Sequence, residues 1–347
     1  MRAKSDSDKY NILAARSGEF SDAFFVAVKS TGIFCRIGCP ARLPKRENCT
    51  FYDSAAEALE AGFRACKRCH PSSHAGEASA VIKKLITLIE GNPEHRWSEG
   101  DIKAAGIDPS TARRQFKKRF GLTFTQYARA RRLGAAAKTL AKGDTVINAQ
   151  LNAGYESASG FRTAFAKTFG AAPAKASAPP FFIEWLTTPL GPMFAVCDDS
   201  HLYMLEFTTR KNMSRGFEKL RKKHKRAVIP GRTSVTDQIE DELKSYFAGK
   251  LTKFKTPLAP TGTEFQNQVW KALQEIPYGE SCAYTDLAIA IGNEKAVRAV
   301  ASSNANNGLA LIIPCHRVIA KGGGLGGYAG GLDKKQWLLD HEKSHKP

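Results

Sequence analysis

The sequence predicts a multidomain α+β protein: a small mixed α/β module, an all-α middle, then a β-rich segment leading into a largely helical lobe. Three observations predict it. The chain has 347 residues, more than one typical domain holds. Two stretches, 71–79 (PSSHAGEAS) and 171–180 (AAPAKASAPP), have the small-polar or Ala/Pro-rich composition of linkers. Between and after them the hydrophobic pattern changes from helical spacing to alternation.

Composition narrows the partners. The formal net charge is +19. A surplus of that size over this length points to a polyanion, with nucleic acid ahead of a membrane surface or an acidic protein; a well-solvated surface is the plain alternative. No apolar run approaches the roughly 18–20 residues of a membrane span. The start, MRAKSDSDKY, lacks the apolar stretch of a signal peptide and is too acidic for a transit peptide, so the expected compartment is the cytoplasm. Eight cysteines there should stay reduced, which favours metal binding or nucleophilic work over disulfides.

Five of those cysteines precede residue 70. Cys35-x3-Cys39 and Cys66-x2-Cys69 are two close pairs separated by 26 residues, each followed closely by a turn-forming proline, Pro40 and Pro71. Each pair can reach one ion, and together they complete one tetrahedral four-thiolate zinc site. A generic site of this kind is most often purely structural. Cys49 stands apart and reads as a buried small hydrophobe.

In the middle, Ile82, Leu85, Ile86 and Ile89 fall at helical spacing. Residues 100–120 read as helix, break at Gly106-Ile107-Asp108-Pro109, and second helix, with Asp108 as N-cap and Pro109 in the first turn. The second helix carries Arg113, Arg114, Lys117, Lys118 and Arg119, and Phe116 and Phe120 form its apolar side. A basic helix after a tight turn is the form of a DNA-reading helix-turn-helix, although such a stretch alone is more often a solvated face. A second helix–break–helix unit follows. In it, Ser157 opens the second helix, which bears Arg162 and Lys167, and Phe161, Phe165 and Phe169 are core. Ala149 and Gly154 are expected to let its helices approach closely.

After residue 180, FAVCDDSHLYMLEF alternates about a DDS hairpin turn. Helical runs follow at about 214–226, 235–249 and 263–275. A glycine-rich loop, KGGGLGGYAGG, then precedes a short helix through Trp337 and Leu339. Cys197 reads as a buried strand residue; Cys282 has no assigned role.

These strings carry resemblances. Thr31-Gly32-Ile33-Phe34-Cys35-Arg36, Cys39-Pro40-Ala41-Arg42 and Ala61 to Cys69 resemble the N-terminal module of the Ada family, over roughly 10–71. The resemblance implies Cys35 as acceptor of a methyl group from a DNA methylphosphotriester, with Cys39, Cys66 and Cys69 as the other zinc ligands. Thr31, Arg36, Arg42, Lys67 and Arg68 would lie at the DNA. Zinc would keep the acceptor sulfur deprotonated and nucleophilic. Methylating one of four thiolates removes one negative charge facing the phosphates, which should strengthen DNA binding. Ile37-Gly38 and Ala65 depart from the family pattern without removing a ligand. Residues 80–173 resemble the AraC-type double helix-turn-helix, which implies DNA contacts from Arg113, Arg114 and Lys117.

Pro314-Cys315-His316-Arg317-Val318-Ile319 resembles the signature of the O6-alkylguanine-DNA alkyltransferases, with further positions in register. The resemblance implies an RNase H-like, β-rich subdomain and a winged-helix-like lobe. It further implies Cys315 as alkyl acceptor, His316 as its base through a water, Glu342 orienting that histidine and Asn307 bracing the turn. Tyr284 would lie near the rotated backbone as a proton donor, Arg298 would fill the gap left by the flipped base, and Tyr328 would belong to the base-binding lid. Extrusion is required because the O6 atom is stacked inside the duplex. Gly308 stands where the family usually has proline and should loosen the turn; Ala329 replaces a serine found in some members.

In chain order the segments follow the Ada family of adaptive-response regulators: 1–75 a zinc methylphosphotriester acceptor, 80–173 a double helix-turn-helix, 181–256 the RNase H-like subdomain, 260–347 the alkyltransferase domain. The implied activity is single-turnover methyl transfer from O6-methylguanine, and from O4-methylthymine, to Cys315. Transfer from phosphotriesters to Cys35 would turn the chain into a transcription activator. Implied with it are double-stranded DNA and RNA polymerase as partners, a monomeric chain, no membrane, one zinc ion and no methyl-donor cofactor. A DNA-binding regulator with purely structural zinc, and a repair protein without a regulatory role, are the alternatives.

Overall fold

The computed structural model describes residues 5–15, 24–39, 41–53, 55–66, 68–69, 71, 79–120, 122–176, 178–210 and 213–346. Residues 72–78 of the predicted 71–79 linker, Pro40, Lys67 and the Lys118 side chain lie outside the described residues.

The chain divides into two compact units, Met1–Glu184 with Asn212–Arg232, and Trp185–Lys211 with Thr233–Pro347. In the first unit, helix α1 (Asp6–Ala14) is started by Ser5 in a capping box with Asp8. A four-stranded sheet follows, in the order β3-β1-β2-β4, from β1 (Phe25–Val28), β2 (Ile33–Arg36), β3 (Cys49–Tyr52) and β4 (Arg64–Ala65), with helix α2 (Ala55–Glu60) before the last strand. β1 pairs antiparallel with both neighbours, whereas β4 runs parallel to β2 with Phe34 opposite Ala65. That register sets Cys66 beside Cys35 at the adjoining strand ends, and the Cys66 N–H donates to the Phe34 carbonyl at 3.0 Å.

The helical part comprises α3 (Ala80–Gly91), α4 (Glu99–Ala104), α5 (Pro109–Phe120), α6 (Phe124–Ala141), α7 (Val146–Asn152) and α8 (Ala158–Phe169). Both predicted helix–break–helix units are present, as α4–α5 and α7–α8. Asp108 Oδ1 accepts the Thr111 N–H at 2.8 Å, and Ser157 caps α8 by accepting the Gly160 N–H at 3.1 Å. Phe116, Phe120, Phe124 and Tyr127 are fully buried against one another, and Phe161 and Phe165 anchor the second unit. Here the expectation for Gly154 needs correction. A Cβ there would meet nothing within 4 Å, but its φ is +67°, so the position needs glycine for a left-handed turn after α7 and not for close helix approach. Ala149, fully buried, does serve that packing.

Strands β5 (Phe181–Leu186) and β8 (Val228–Pro230) pair parallel, Phe182 opposite Ile229, with helix α9 (Met213–His224) between them in sequence. Strand β5 crosses the boundary between the units after Glu184, which therefore lies beyond the Ala/Pro-rich stretch. The physical reason is Gly134 on α6: a Cβ there would sit 2.7 Å from Ile229 Cδ1 and 3.7 Å from Phe182, so the bare helix backbone seats directly on these strands.

In the second unit β6 (Met193–Cys197) and β7 (Leu202–Phe207) form the predicted hairpin, with the DDS stretch in its turn. Cys197 is fully buried, as expected of a strand residue. Helices α10 (Ser234–Phe247), α11 (Glu264–Gln274), α12 (Tyr284–Ala290), α13 (Val297–Ala305) and α14 (Leu332–Ser344) follow, with the short parallel pair β9 (Cys282–Ala283) and β10 (Val318–Ile319). The backbone of β7 pins the chain ahead of the signature. Leu205 N–H donates to the Gly308 carbonyl at 2.9 Å, and Ala310 N–H donates to the Leu205 carbonyl at 2.8 Å. Among the described residues no helix is long and apolar enough to cross a membrane.

Candidate active sites and metal centre

The parallel β2–β4 register, and a tight turn at Gly38 (φ +84°), bring Cys35, Cys39, Cys66 and Cys69 to one point. Their sulfurs lie within 4.8 Å of one another, and Cys39 and Cys66 are 3.9 Å apart. A tetrahedral ion with metal–sulfur bonds of about 2.3 Å holds its sulfurs about 3.8 Å apart, so the donor set fits zinc. Electrostatics agree. Hydrogen bonding from Cys69, burial and the neighbouring sulfurs push the Cys35 thiol far up. Burial raises Cys39 to about 11, and the hydrogen bond with Cys35 takes Cys69 down to about 5. Thiolates this close repel one another, and a cation held among them would remove that penalty. Cys49 is buried, its thiol donating to the Lys45 carbonyl at 3.3 Å, and it is not one of the four. Thr31, Arg42 and Arg68 are exposed around the cluster, and Arg36 is half-buried beside Cys35.

On α5, Arg113, Arg114 and Lys117 are exposed as a basic face should be, with Arg113 paired to Glu99 of α4.

Cys315 begins a 3-10 turn, Cys315–Arg317, set up by Leu311, which is buried at φ +73°. A leucine held in the left-handed region stores strain that the packing must offset. Asn307 braces this turn at three points. Its Nδ2 donates to Cys315 Sγ (3.2 Å) and the Ile313 carbonyl (2.8 Å), while its Oδ1 accepts the Leu309 N–H (2.9 Å). Next to it, the Gly308 carbonyl accepts the Leu205 N–H at 2.9 Å.

His316 and Glu342 are 0 % and 1 % exposed, and His316 Nε2 lies 2.9 Å from Glu342 Oε1. The carboxylate also accepts from Arg317 Nε (2.7 Å) and Nη2 (2.9 Å), the Tyr246 hydroxyl (2.8 Å) and the Gly279 N–H (3.2 Å). Burial alone would raise its pKa, but the bonds from His316 and Arg317 outweigh burial and hold it far below the usual range. An ionised Glu342 makes Nε2 the protonated ring nitrogen. Nδ1 then carries the lone pair, and it is buried without a hydrogen-bond partner. Burial depresses the imidazole pKa against the pull of Glu342, so the ring is neutral and basic. Burial raises the Cys315 thiol, offset by the Asn307 bond and by the charges of Arg210 and Lys335. The result is a thiol held protonated, followed in sequence by a neutral imidazole with a free lone pair.

Tyr284 opens α12, Arg298 is exposed in the first turn of α13, and the Tyr328 ring stands 6.5 Å from His316 with its hydroxyl buried and unpartnered. Four contributors were not legible beforehand. Lys335, fully buried, donates to the carbonyls of Val318, Leu325 and Gly327, tying the glycine loop to the signature, and burial lowers its pKa to about 8. Arg210 donates to the Asn307 and Ala305 carbonyls. Arg317 and Tyr246 complete the shell of Glu342.

Comparison with known proteins follows the same three parts. Residues 8–72 match the family described as metal binding domain of Ada, 102–178 a helix-turn-helix domain, and 264–344 the DNA binding domain of 6-O-methylguanine DNA methyltransferase. The chain is 33% identical over 350 residues to the bifunctional transcriptional activator/DNA repair enzyme Ada of Escherichia coli, covering 98% of this chain and 97% of that one. It is 32% identical to the regulatory protein ada of Salmonella typhimurium, covering 97% and 96%. A methylated-DNA–protein-cysteine methyltransferase of Methanosarcina barkeri is 40% identical over 173 residues, 47% of this chain and 98% of that one.

Proposed function

This chain belongs to the Ada family of bifunctional transcriptional activators and DNA repair enzymes, and on that premise we propose that it is a methylated-DNA–protein-cysteine methyltransferase with two acceptor thiols. The observation that carries the reading is Cys315, held by Asn307 beside a fully buried His316–Glu342 pair whose free ring nitrogen is the only one able to accept a proton.

At this site Cys315 Sγ attacks the methyl carbon of an extruded O6-methylguanine; the sulfur–carbon bond forms as the carbon–O6 bond breaks, and the electron pair leaves on the base. His316 Nδ1 takes the thiol proton through a water, Glu342 stabilises the imidazolium, and Tyr284 returns a proton to the guanine. Arg298 fills the space the base vacates, and Tyr328 closes over the base. A thioether has no good leaving group, so each molecule reacts once at this position. O4-methylthymine presents the same bond to break.

At the N-terminal cluster Cys35 Sγ attacks the methyl carbon of a phosphotriester, and the phosphodiester leaves. One zinc ion held by Cys35, Cys39, Cys66 and Cys69 would supply a sulfur that is deprotonated at neutral pH. Thr31, Arg36, Arg42 and Arg68 hold the backbone, and Arg113, Arg114 and Lys117 bind DNA from α5. The functional segments are 1–75, 80–173, 181–256 and 260–347. The damaged DNA supplies the methyl group, so no methyl-donor cofactor is needed. A monomer that activates transcription from the cytoplasm, engaging RNA polymerase, completes the reading.

The test is mass mapping of methyl transfer from DNA carrying O6-methylguanine or methylphosphotriesters. One methyl at Cys315 and one at Cys35 are expected. Methyl gain in the C-terminal region of a Cys315→Ala protein would overturn the assignment.

A further inference from the structure

A cavity of about 770 Å³ opens within the helical part of the first unit, between α6, α8 and the chain leading into α4. Its lining is unusually cationic: Arg96, Arg129, Arg132 and Lys167 face it, against a single acid, Glu156. None of the four cations makes an ion pair, with Glu156 or with any other described residue.

Arg132 is the informative one. It is 7 % exposed, its Nε is buried with no hydrogen-bond partner among the described residues, and its guanidinium carbon lies 5.4 Å from the Tyr155 ring. A guanidinium taken out of water without an acceptor is costly, and buried polar groups are paired in the great majority of cases. The equally buried arginine next to it follows that rule: Arg131 is matched by Glu90. Arg132 alone faces an open cavity.

A second feature points at the same space. The twelve-residue helix α8 begins there, with Ser157, Ser159 and Gly160 among the lining residues. The cap satisfies the Gly160 N–H, which leaves the earlier N–H groups of the first turn and the positive end of the helix directed at the cavity mouth. Gly160 is needed for this arrangement, since a Cβ would stand 2.8 Å from Ser157 Oγ. A buried fork of donors, three flexible cations and a helix N-terminus share one complement, a tetrahedral oxyanion.

We propose that this cavity binds a phosphate group, with Arg132 as its buried anchor and Arg96, Arg129 and Lys167 as its outer contacts. The phosphate comes either from a free phosphorylated molecule or from the backbone of DNA lying across the two helix–break–helix units.

The experiment uses the full chain and two variants, Arg132→Met and the exposed pair Arg96→Gln/Arg129→Gln. Calorimetry measures inorganic phosphate binding at constant ionic strength, and duplex DNA of random sequence is titrated across a salt series. If the source is free, the wild type binds phosphate and Arg132→Met weakens it about ten- to hundredfold, the loss expected for a charge-assisted hydrogen bond. If the source is backbone, free phosphate does not bind. The log–log salt slope of DNA binding then falls by about 0.9 for each phosphate contact removed. Without phosphate, Arg132→Met should melt at or above the wild-type temperature, because it removes an unpaired buried charge; a clearly lower melting temperature would mean that Arg132 serves packing on Tyr155 and would count against the site. Should that variant not fold, the exposed pair decides by the same two readouts. Unchanged phosphate binding and an unchanged salt slope in the variants overturn the proposal.

Discussion

Cys35 and Cys315, the two methyl acceptors we propose, are both buried thiols, yet the chain prepares them by opposite means. Cys35 sits among three other sulfurs, and its hydrogen bond with Cys69, its burial and the neighbouring sulfurs all hold it protonated in the absence of a cation. Cys315 lies outside that cluster; burial holds it protonated, and the imidazole that follows it in sequence is held neutral. One site stores its reactivity in a metal bond, the other in a hydrogen-bond network. The first should therefore fail when metal is withdrawn and the second when a proton path is altered, each without the other.

Removing an acceptor gives the largest effect. Cys315→Ala should abolish transfer from O6-methylguanine and leave Cys35 methylation by phosphotriesters at wild-type extent, read by peptide mass mapping. Stripping the metal with a chelator should do the reverse. Without the ion the four-thiolate cluster loses its centre, so Cys35 transfer should vanish while the single-turnover rate at Cys315 holds. Loss of both activities together would break the comparison.

Glu342→Gln comes next. It removes the ionised partner that fixes the His316 tautomer, and the rate at Cys315 should fall by roughly 10²- to 10⁴-fold. Arg317, 7 % exposed, would lose its carboxylate in the same change, which should destabilise the second unit by about 3–5 kcal/mol. A melting curve separates the two effects. The pH profile is a finer test. Because the folded-state pKa of His316 lies below the ordinary 6.5, the base stays neutral as pH falls through that value, and the acid limb of the Cys315 rate should begin below it. An acid limb above 6.5 would mean that Glu342 outweighs burial. The smallest effect belongs to Cys49→Ala. A buried thiol outside the cluster should cost only about 1 kcal/mol, with the zinc content unchanged.

What the sequence disclosed follows the range over which each feature acts. The helix–break–helix units, the caps at Asp108 and Ser157 and the hairpin at the DDS turn are set by neighbours in sequence, and they appear where predicted. Cys35, Cys39, Cys66 and Cys69 announce themselves by spacing, even though a strand pairing brings the two halves together. Nothing local, by contrast, marks Arg210, which reaches Asn307 across 97 residues, or Tyr246, which reaches Glu342 across 96. Lys335 reads as an ordinary surface lysine of a terminal helix until the fold wraps the glycine loop around its ammonium group. His316 and Glu342 were legible only through resemblance, since no periodicity links a turn to a helix 26 residues away. Gly154 was seen and misread: sequence shows that a side chain is missing there, but only φ shows why.

The three-point brace at Asn307 bears on what happens after the reaction. Cys315 is 6 % exposed, and a methyl group added to its sulfur must be accommodated beside the Asn307 bond. Overfilling a packed interior by one carbon costs about 1–3 kcal/mol, and here the strain falls on the bonds that also fix Leu309 and Ile313. A used molecule and an unused one thus differ in how tightly that turn is held. The fold keeps a physical record of whether its single event has taken place.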